Sequence, residues 1–253
     1  MDIENKYGTL AVQKNLLELI KKFDTFCNKM GINYSLNDGS LLGAIRHNGF
    51  IPWDDDLDVI VDRDNYFKLM HIPDMENYGL SVKRELWIDR IQLVTKESSL
   101  PVSDFVPTLD LMILDKAPTS LFHRKIKNIA LGFVQGMIKS RPNYSRFNLK
   151  NKFFSFVSYQ MGKLLSDYYK INLYHKIAKN YGDKCSPYSS CYFEPYNDIG
   201  IIHRADALHK IERHQFEDTQ VSILSCWDEY LKELYGDYMT PPKETERIPI
   251  HIK

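Results

Sequence analysis

Four aspartates, Asp54, Asp55, Asp56 and Asp58, run directly into the β-branched triplet Val59-Ile60-Val61. A run of that kind marks a buried strand, and period-two alternation along it sets Asp54, Asp56 and Asp58 on one face at its mouth. Carboxylates within a few ångströms of one another disfavour ionisation unless a cation sits among them. Hard oxygen donors suit Mg²⁺ or Mn²⁺, and one or two such ions commonly manage substrate phosphates. The plain alternative is an acidic turn before a strand, with Asp54 or Asp55 acting as a cap. A further carboxylate interrupts the otherwise apolar run Thr108 to Leu114 at Asp110. Burying an unpaired carboxylate is costly, so Asp110 is either hydrogen-bonded or facing an ion. Beside the acidic strand it is the natural third metal ligand.

Upstream, Gly39-Ser40 opens a short apolar segment that ends at Arg46. Gly39 permits close backbone approach, and Ser40 with the amides that follow can cradle a phosphate at a helix N-terminus. Arg46 stands where it could reach a phosphate as well, although an arginine closing a short helix also complements the helix dipole. A Gly-Ser turn, a short helix, the pair Asp56 and Asp58, and a later strand aspartate make the layout of a nucleotidyltransferase-type phosphoryl-transfer site. The three carboxylates would hold two Mg²⁺, and catalysis there is mostly positioning and charge neutralisation.

These residues need elements to position them. Leu10, Leu16, Leu17, Ile20, Phe23, Cys27 and Met30 recur at helical spacing and predict an amphipathic helix over Thr9 to Met30, stopped by Gly31. Ile32 to Leu36 predicts a short strand, Asp38-Gly39 a turn, and Ser40 the cap of a helix through Ile45. Pro52 keeps the chain extended before the acidic strand. Asp62 or Asp64 caps a helix over Tyr66 to Met70, and strands follow at Leu80 to Glu85 and Ile91 to Val94. Tyr188 to Glu194 reads as a strand, Ile199 to Ile202 is another apolar run, Phe216 to Leu224 reads as strands around a turn, and Cys226 to Tyr235 as a helix closed by Gly236. His203 in this region reads as an ordinary hydrogen-bonded histidine. The expected fold is α+β, a nucleotidyltransferase-like mixed β-sheet flanked by helices, with a helical basic insertion. Residues 1–115 would form the catalytic core, 116–187 the basic insertion, and 188–253 a C-terminal part completing the catalytic domain.

Composition bounds the rest. The 253 residues carry 33 Lys and Arg against 33 Asp and Glu, so overall charge does not make the chain a polyanion binder. The four cysteines, Cys27, Cys185, Cys191 and Cys226, lack CxxC spacing, which argues against zinc and for reduced thiols. The N-terminus lacks the layout of a signal peptide and no apolar run approaches membrane-spanning length, so the expectation is a cytoplasmic protein. Charge is nevertheless uneven. No acidic residue lies between Asp115 and Asp167, while Lys116, Arg124, Lys125, Lys127, Lys139, Arg141, Arg146, Lys150, Lys152 and Lys163 do. A solvated basic helix face is the plain reading. The sharper one is a surface for anionic phosphates, either a diphosphate substrate or the inner face of a membrane met through residues 116–163. Nucleic acid is not expected, since no recognised binding motif is present.

The stretch Gly39 to Asp58, Gly-Ser-Leu-Leu-Gly-Ala-Ile-Arg-His-Asn-Gly-Phe-Ile-Pro-Trp-Asp-Asp-Asp-Leu-Asp, resembles the signature of the LicD family, which includes fukutin and fukutin-related protein. Tyr235-Gly236-Asp237-Tyr238-Met239 followed by Pro241-Pro242 resembles that family's ending. The likeness covers about residues 10 to 115 and 210 to 242 and leaves the basic middle unmatched; Gly-Ser stands where Gly-Thr is usual. It implies transfer of phosphocholine, phosphoethanolamine or a phosphopolyol from a CDP-linked donor to a sugar hydroxyl, with release of CMP. The acceptor would be a surface glycan, such as lipopolysaccharide, teichoic acid or capsule, or a lipid-linked precursor. By the same likeness Asp56, Asp58 and Asp110 are metal ligands, Asp54 is a nearby acid, and Asp110 orients or deprotonates the hydroxyl. Two alternatives stand beside it: a nucleotidylyltransferase that leaves the nucleotide on its acceptor, and a non-catalytic adaptor of the same fold.

Overall fold

The computed structural model describes residues 5–73, 75–84, 89–94, 108–139, 149–179, 187–190, 202–204 and 206–250. The chain divides into two compact units, one comprising Met1–Met112 and Asp206–Lys253, the other Ile113–Ala205.

In the first unit, helix α1 (Leu10–Met30) buries Leu16, Leu19, Ile20, Phe23 and Phe26, the face that its three-and-four spacing selects. It ends at Gly31, whose left-handed φ of 61° suits a residue without a Cβ. Strand β1 (Ser35–Leu36) is shorter than the predicted Ile32 to Leu36. Helix α2 (Asp38–His47) begins earlier than expected, with Asn37 in the N-cap position and Ser40 already inside the first turn. Strand β2 (Asp58–Asp62) is buried along its whole length. Asp62 then caps α3 (Arg63–His71) by accepting from the Asn65 amide at 2.7 Å.

Strands β3 (Leu80–Arg84), β4 (Asp89–Leu93) and β5 (Thr108–Lys116) complete the sheet, in the order β1-β2-β5-β4-β3. The pairs β1–β2, β3–β4 and β4–β5 are antiparallel. The Asp110 amide donates to the Leu57 carbonyl at 2.8 Å, beside β2. The fold is α+β, a mixed sheet with helices. Val59, Ile60 and Val61 lie in its core with Leu109, Leu111 and Ile91, and each such side chain contributes roughly 1.5–3 kcal/mol by leaving water. Strand β8 (Ile211–Phe216) forms upstream of the predicted Phe216 to Leu224 and pairs with β9 (Thr219–Leu224), which alone fills that stretch, while helix α7 (Trp227–Tyr235), closed by Gly236, follows the predicted element.

The second unit holds helices α4 (Leu121–Ile138), α5 (Leu149–Gly162) and α6 (Asp167–Lys179). The end of β5 pairs there with β6 (Tyr188–Ser190), which pairs with β7 (Ile202–His203). Lys127 is buried in this unit, its ammonium donating to the carbonyls of Lys116 at 2.8 Å and Ala178 at 2.6 Å. Cys27 is a buried free thiol. Cys185, Cys191, Arg141, Arg146, the strand predicted beyond Ser190 and most of the run at Ile199 lie outside the described residues.

Candidate active site

The acidic segment is a loop, and only Asp58 of its carboxylates belongs to β2. The expectation that alternation along a strand would align Asp54, Asp56 and Asp58 is therefore corrected. The N-cap residue Thr9 and Gln13 of α1 take the carbonyls that a strand would use. Thr9 Oγ1 donates to the Pro52 carbonyl at 2.7 Å, while Gln13 Nε2 donates to those of Ile51 at 2.9 Å and Asp54 at 2.8 Å. Asp55 is buried and accepts from the Ile250 amide at 3.1 Å, so it ties the C-terminal segment to the loop.

The carboxylates are nonetheless brought together. The Asp58 carboxyl is held well above the usual range, first by burial and then by the charges of Asp56, Asp38, Asp110 and Asp54. The Asp54 carboxyl is also pushed well up, by burial and then by the charge of Asp56 and a hydrogen bond with it. Gly39 makes room for this group: a Cβ there would stand 2.8 Å from Asp54 Oδ2. Asp54 thus occupies the space over the first turn of α2, where the exposed amides favour negative charge. Ser40 is buried and its Oγ accepts from the Asp58 amide at 2.9 Å, so the hydroxyl fixes the start of β2 instead of capping α2.

Two residues that periodicity did not single out complete the acidic group. Asp38, the first residue of α2, adopts a φ of 41° and accepts from the Tyr230 hydroxyl at 3.0 Å and from Asn37 Nδ2 at 2.9 Å. Tyr230 also donates to Asn37 Oδ1 at 2.7 Å. Arg90 lies opposite Asp110 in the β4–β5 register, its Nε 2.7 Å from Oδ1 and its Nη2 3.3 Å from Oδ2. The Asn-Asp-Gly turn was the only hint of Asp38 in the sequence. For Arg90 there was none, because strand register is not local.

Arg46 is not among these carboxylates. It stands in the last turn of α2, donates to the Tyr238 carbonyl at 2.8 Å, and has its pKa lowered by burial and by Arg247. His47 beside it is pushed down by burial and by both arginines.

Asp56, Asp58 and Asp110 offer only carboxylate oxygen, the donor type that hard divalent cations take, and the charges of Asp56 and Asp110 both bear on Asp58. Among the described residues, no three acidic, histidine or cysteine side chains are gathered in an arrangement that would hold a metal as they stand. Asp110 faces Arg90 and Asp54 is hydrogen-bonded with Asp56.

With this geometry in view, the similarities of the chain are informative. Residues 31–100 match the family model described as LicD/FKTN/FKRP, nucleotidyltransferase domain. Across 94% of the chain and 93% of the relative, 26% of residues are identical to the lipopolysaccharide cholinephosphotransferase LicD of Haemophilus influenzae. Uncharacterized proteins of Rickettsia prowazekii and Rickettsia typhi are 32% and 30% identical, over 43% of this chain in each case.

Proposed function

The chain belongs to the LicD family, and from that premise we propose that it is a phosphotransferase acting on a surface glycan. Its donor is a CDP-linked alcohol, with phosphocholine the first group to try because of the relative that spans nearly its whole length. The acceptor is a sugar hydroxyl of a lipopolysaccharide-type glycan or of a lipid-linked precursor. The observation that carries this reading is the buried Asp58 carboxyl with Asp38, Asp54, Asp56 and Asp110 acting on it, in the midst of the family signature.

In the proposed reaction, the acceptor oxygen forms a bond to the phosphorus that bears the alcohol. The bond from that phosphorus to the bridging oxygen breaks, CMP leaves with the bridging oxygen, and the hydroxyl proton passes to a base. Asp56, Asp58 and Asp110 are the groups to hold Mg²⁺ or Mn²⁺, one or two ions, which supply charge neutralisation at the diphosphate. Asp110, held by Arg90, would orient the hydroxyl and take up its proton. Asp38, buttressed by Tyr230, adds a carboxylate on the α2 side. Gly39 and Ser40 support the site by admitting Asp54 and fixing Asp58.

Incubation with CDP-choline, CDP-ethanolamine, CDP-glycerol or CDP-ribitol, a glycan acceptor and Mg²⁺ should release CMP with one donor and add its phospho-alcohol to the glycan. Silence with all four donors would overturn the reading. The nucleotidyltransferase description of the matched domain favours one second reading, transfer of a nucleoside monophosphate. Product mass separates the two, because only the second leaves a nucleoside on the acceptor.

A further inference from the structure

The second unit carries an apolar surface that its own core does not use. On α4, Phe122, Ile126, Ile129 and Phe133 recur four, three and four residues apart, which places all four on one stripe of the helix. The stripe faces outward, with Phe122 68%, Ile126 48% and Ile129 60% exposed, whereas Leu131, Val134 and Met137 are buried. Phe153, Phe156 and Met161 on α5 and Tyr168 and Tyr169 on α6 are exposed too. Between the helices, Ile126, Ile129, Phe133, Phe154, Leu173 and Ile177 help to line a groove of about 430 Å³ to which, among the described residues, no polar side chain contributes. Apolar surface this extensive marks an interaction site.

Charge identifies the partner. From Lys116 to Ser166 the chain carries basic residues and no Asp or Glu. Lys125, exposed, sits three residues after Phe122 and four before Ile129, and so flanks the stripe; Lys152 on α5 and Lys163 just past its end are exposed. An apolar face rimmed by lysines is what a helix needs to lie in the headgroup region of an anionic membrane, with apolar side chains among acyl chains and ammonium groups at lipid phosphates. Among the described residues no helix is long and apolar enough to cross a membrane, so the fitting geometry is contact along the surface.

We propose that the face formed by α4, α5 and α6 docks on an anionic phospholipid bilayer, with the α4 stripe inserted and acyl chains packing into the groove. Co-sedimentation of the full chain with phosphatidylglycerol and with phosphatidylcholine vesicles tests this without reading catalysis, so its failure is distinct from failure of the transferase reading. The expected result is binding to phosphatidylglycerol alone, weakened by salt. Ile129→Glu should lower it at least about tenfold, through lost apolar burial. Lys125→Glu should lower it severalfold, since each basic residue near the surface contributes about 1 kcal/mol. Both positions are exposed, and circular dichroism melting checks that each variant remains folded. Equal binding to phosphatidylcholine, indifference to salt, or unchanged binding in the two folded variants would overturn the proposal. So would a homodimer that binds neither vesicle and that Ile129→Glu dissociates.

Discussion

Arg90 and Asp110 stand directly opposite each other on β4 and β5, and the guanidinium reaches both carboxylate oxygens, at 2.7 Å and 3.3 Å. The pair fixes where the Asp110 carboxylate points while leaving both side chains partly open to solvent. A group of this kind acts through the residue it holds, and losing such support typically lowers metal affinity or activity by about 10–100-fold. Arg90→Met should therefore lower kcat by about that factor with little change in Tm, and Arg90→Lys should recover part of the loss. Asp110→Asn should abolish CMP release. Unaltered kcat in Arg90→Met would show that the pair is only structural.

Two glycines of α2 should separate stability from chemistry. A Cβ at Gly43 would stand 2.5 Å from the Gly49 carbonyl oxygen, which is backbone and cannot move aside. Gly43→Ala should therefore cost about 1–3 kcal/mol through overpacking, readable in urea unfolding. At Gly39 the obstacle is the end of the Asp54 side chain. Gly39→Ala should leave the unfolding midpoint nearly unchanged and lower kcat, because Asp54 must turn away from its place over α2.

What the sequence made legible follows a physical division. Helical spacing in α1, the stop at Gly31, the β-branched core of β2 and the closure of α7 by Gly236 are set by neighbours in the chain, and each was readable. The acidic loop was misread as strand because its conformation is imposed from a distance. Gln13 and Thr9 hold it across 38 to 43 residues of sequence, and periodicity carries no trace of those bonds. Asp38 and Arg90 entered the site by the same route, through Tyr230 and through the β4–β5 register. The carboxylates themselves were readable, because their number and type are unusual wherever the loop runs.

Asp24 of α1 carries a second, structural network. Arg213 Nη2 donates to its Oδ2 at 2.8 Å and the buried Tyr34 hydroxyl to its Oδ1 at 2.7 Å, joining α1 to β8 and to the segment before β1. Removing one partner of a buried charge costs about 3–5 kcal/mol, reduced here to about 2–3 because the Arg213 side chain is partly exposed. Arg213→Met should lower stability by that amount. The joint replacement Asp24→Leu with Arg213→Met should cost less than the sum of the single changes, which a double-mutant cycle in urea measures.

Tyr34 of that network and Tyr238 elsewhere in the unit set an alkaline limit on the fold. Burial, then the Asp24 charge and hydrogen bond, push the Tyr34 phenol well above its ordinary range, and burial with Asp228 pushes Tyr238 up to about 12. Tyr238 donates its hydroxyl to Asp228 at 2.7 Å, so the neutral phenol is the form the fold prefers. A folded pKa above the unfolded value of about 10 gives stability that is complete below that pH and lost as pH rises toward the folded value. Unfolding free energy should therefore fall between about pH 10 and about 12. Ultraviolet titration should find Tyr34 and Tyr238 ionising after the exposed members of the 16 tyrosines. Tyr238→Phe should flatten the fall by one residue's share, since a phenylalanine has no proton to lose. A stability profile in Tyr238→Phe as steep as in the parent chain would remove Tyr238 from the account and leave the alkaline transition to Tyr34.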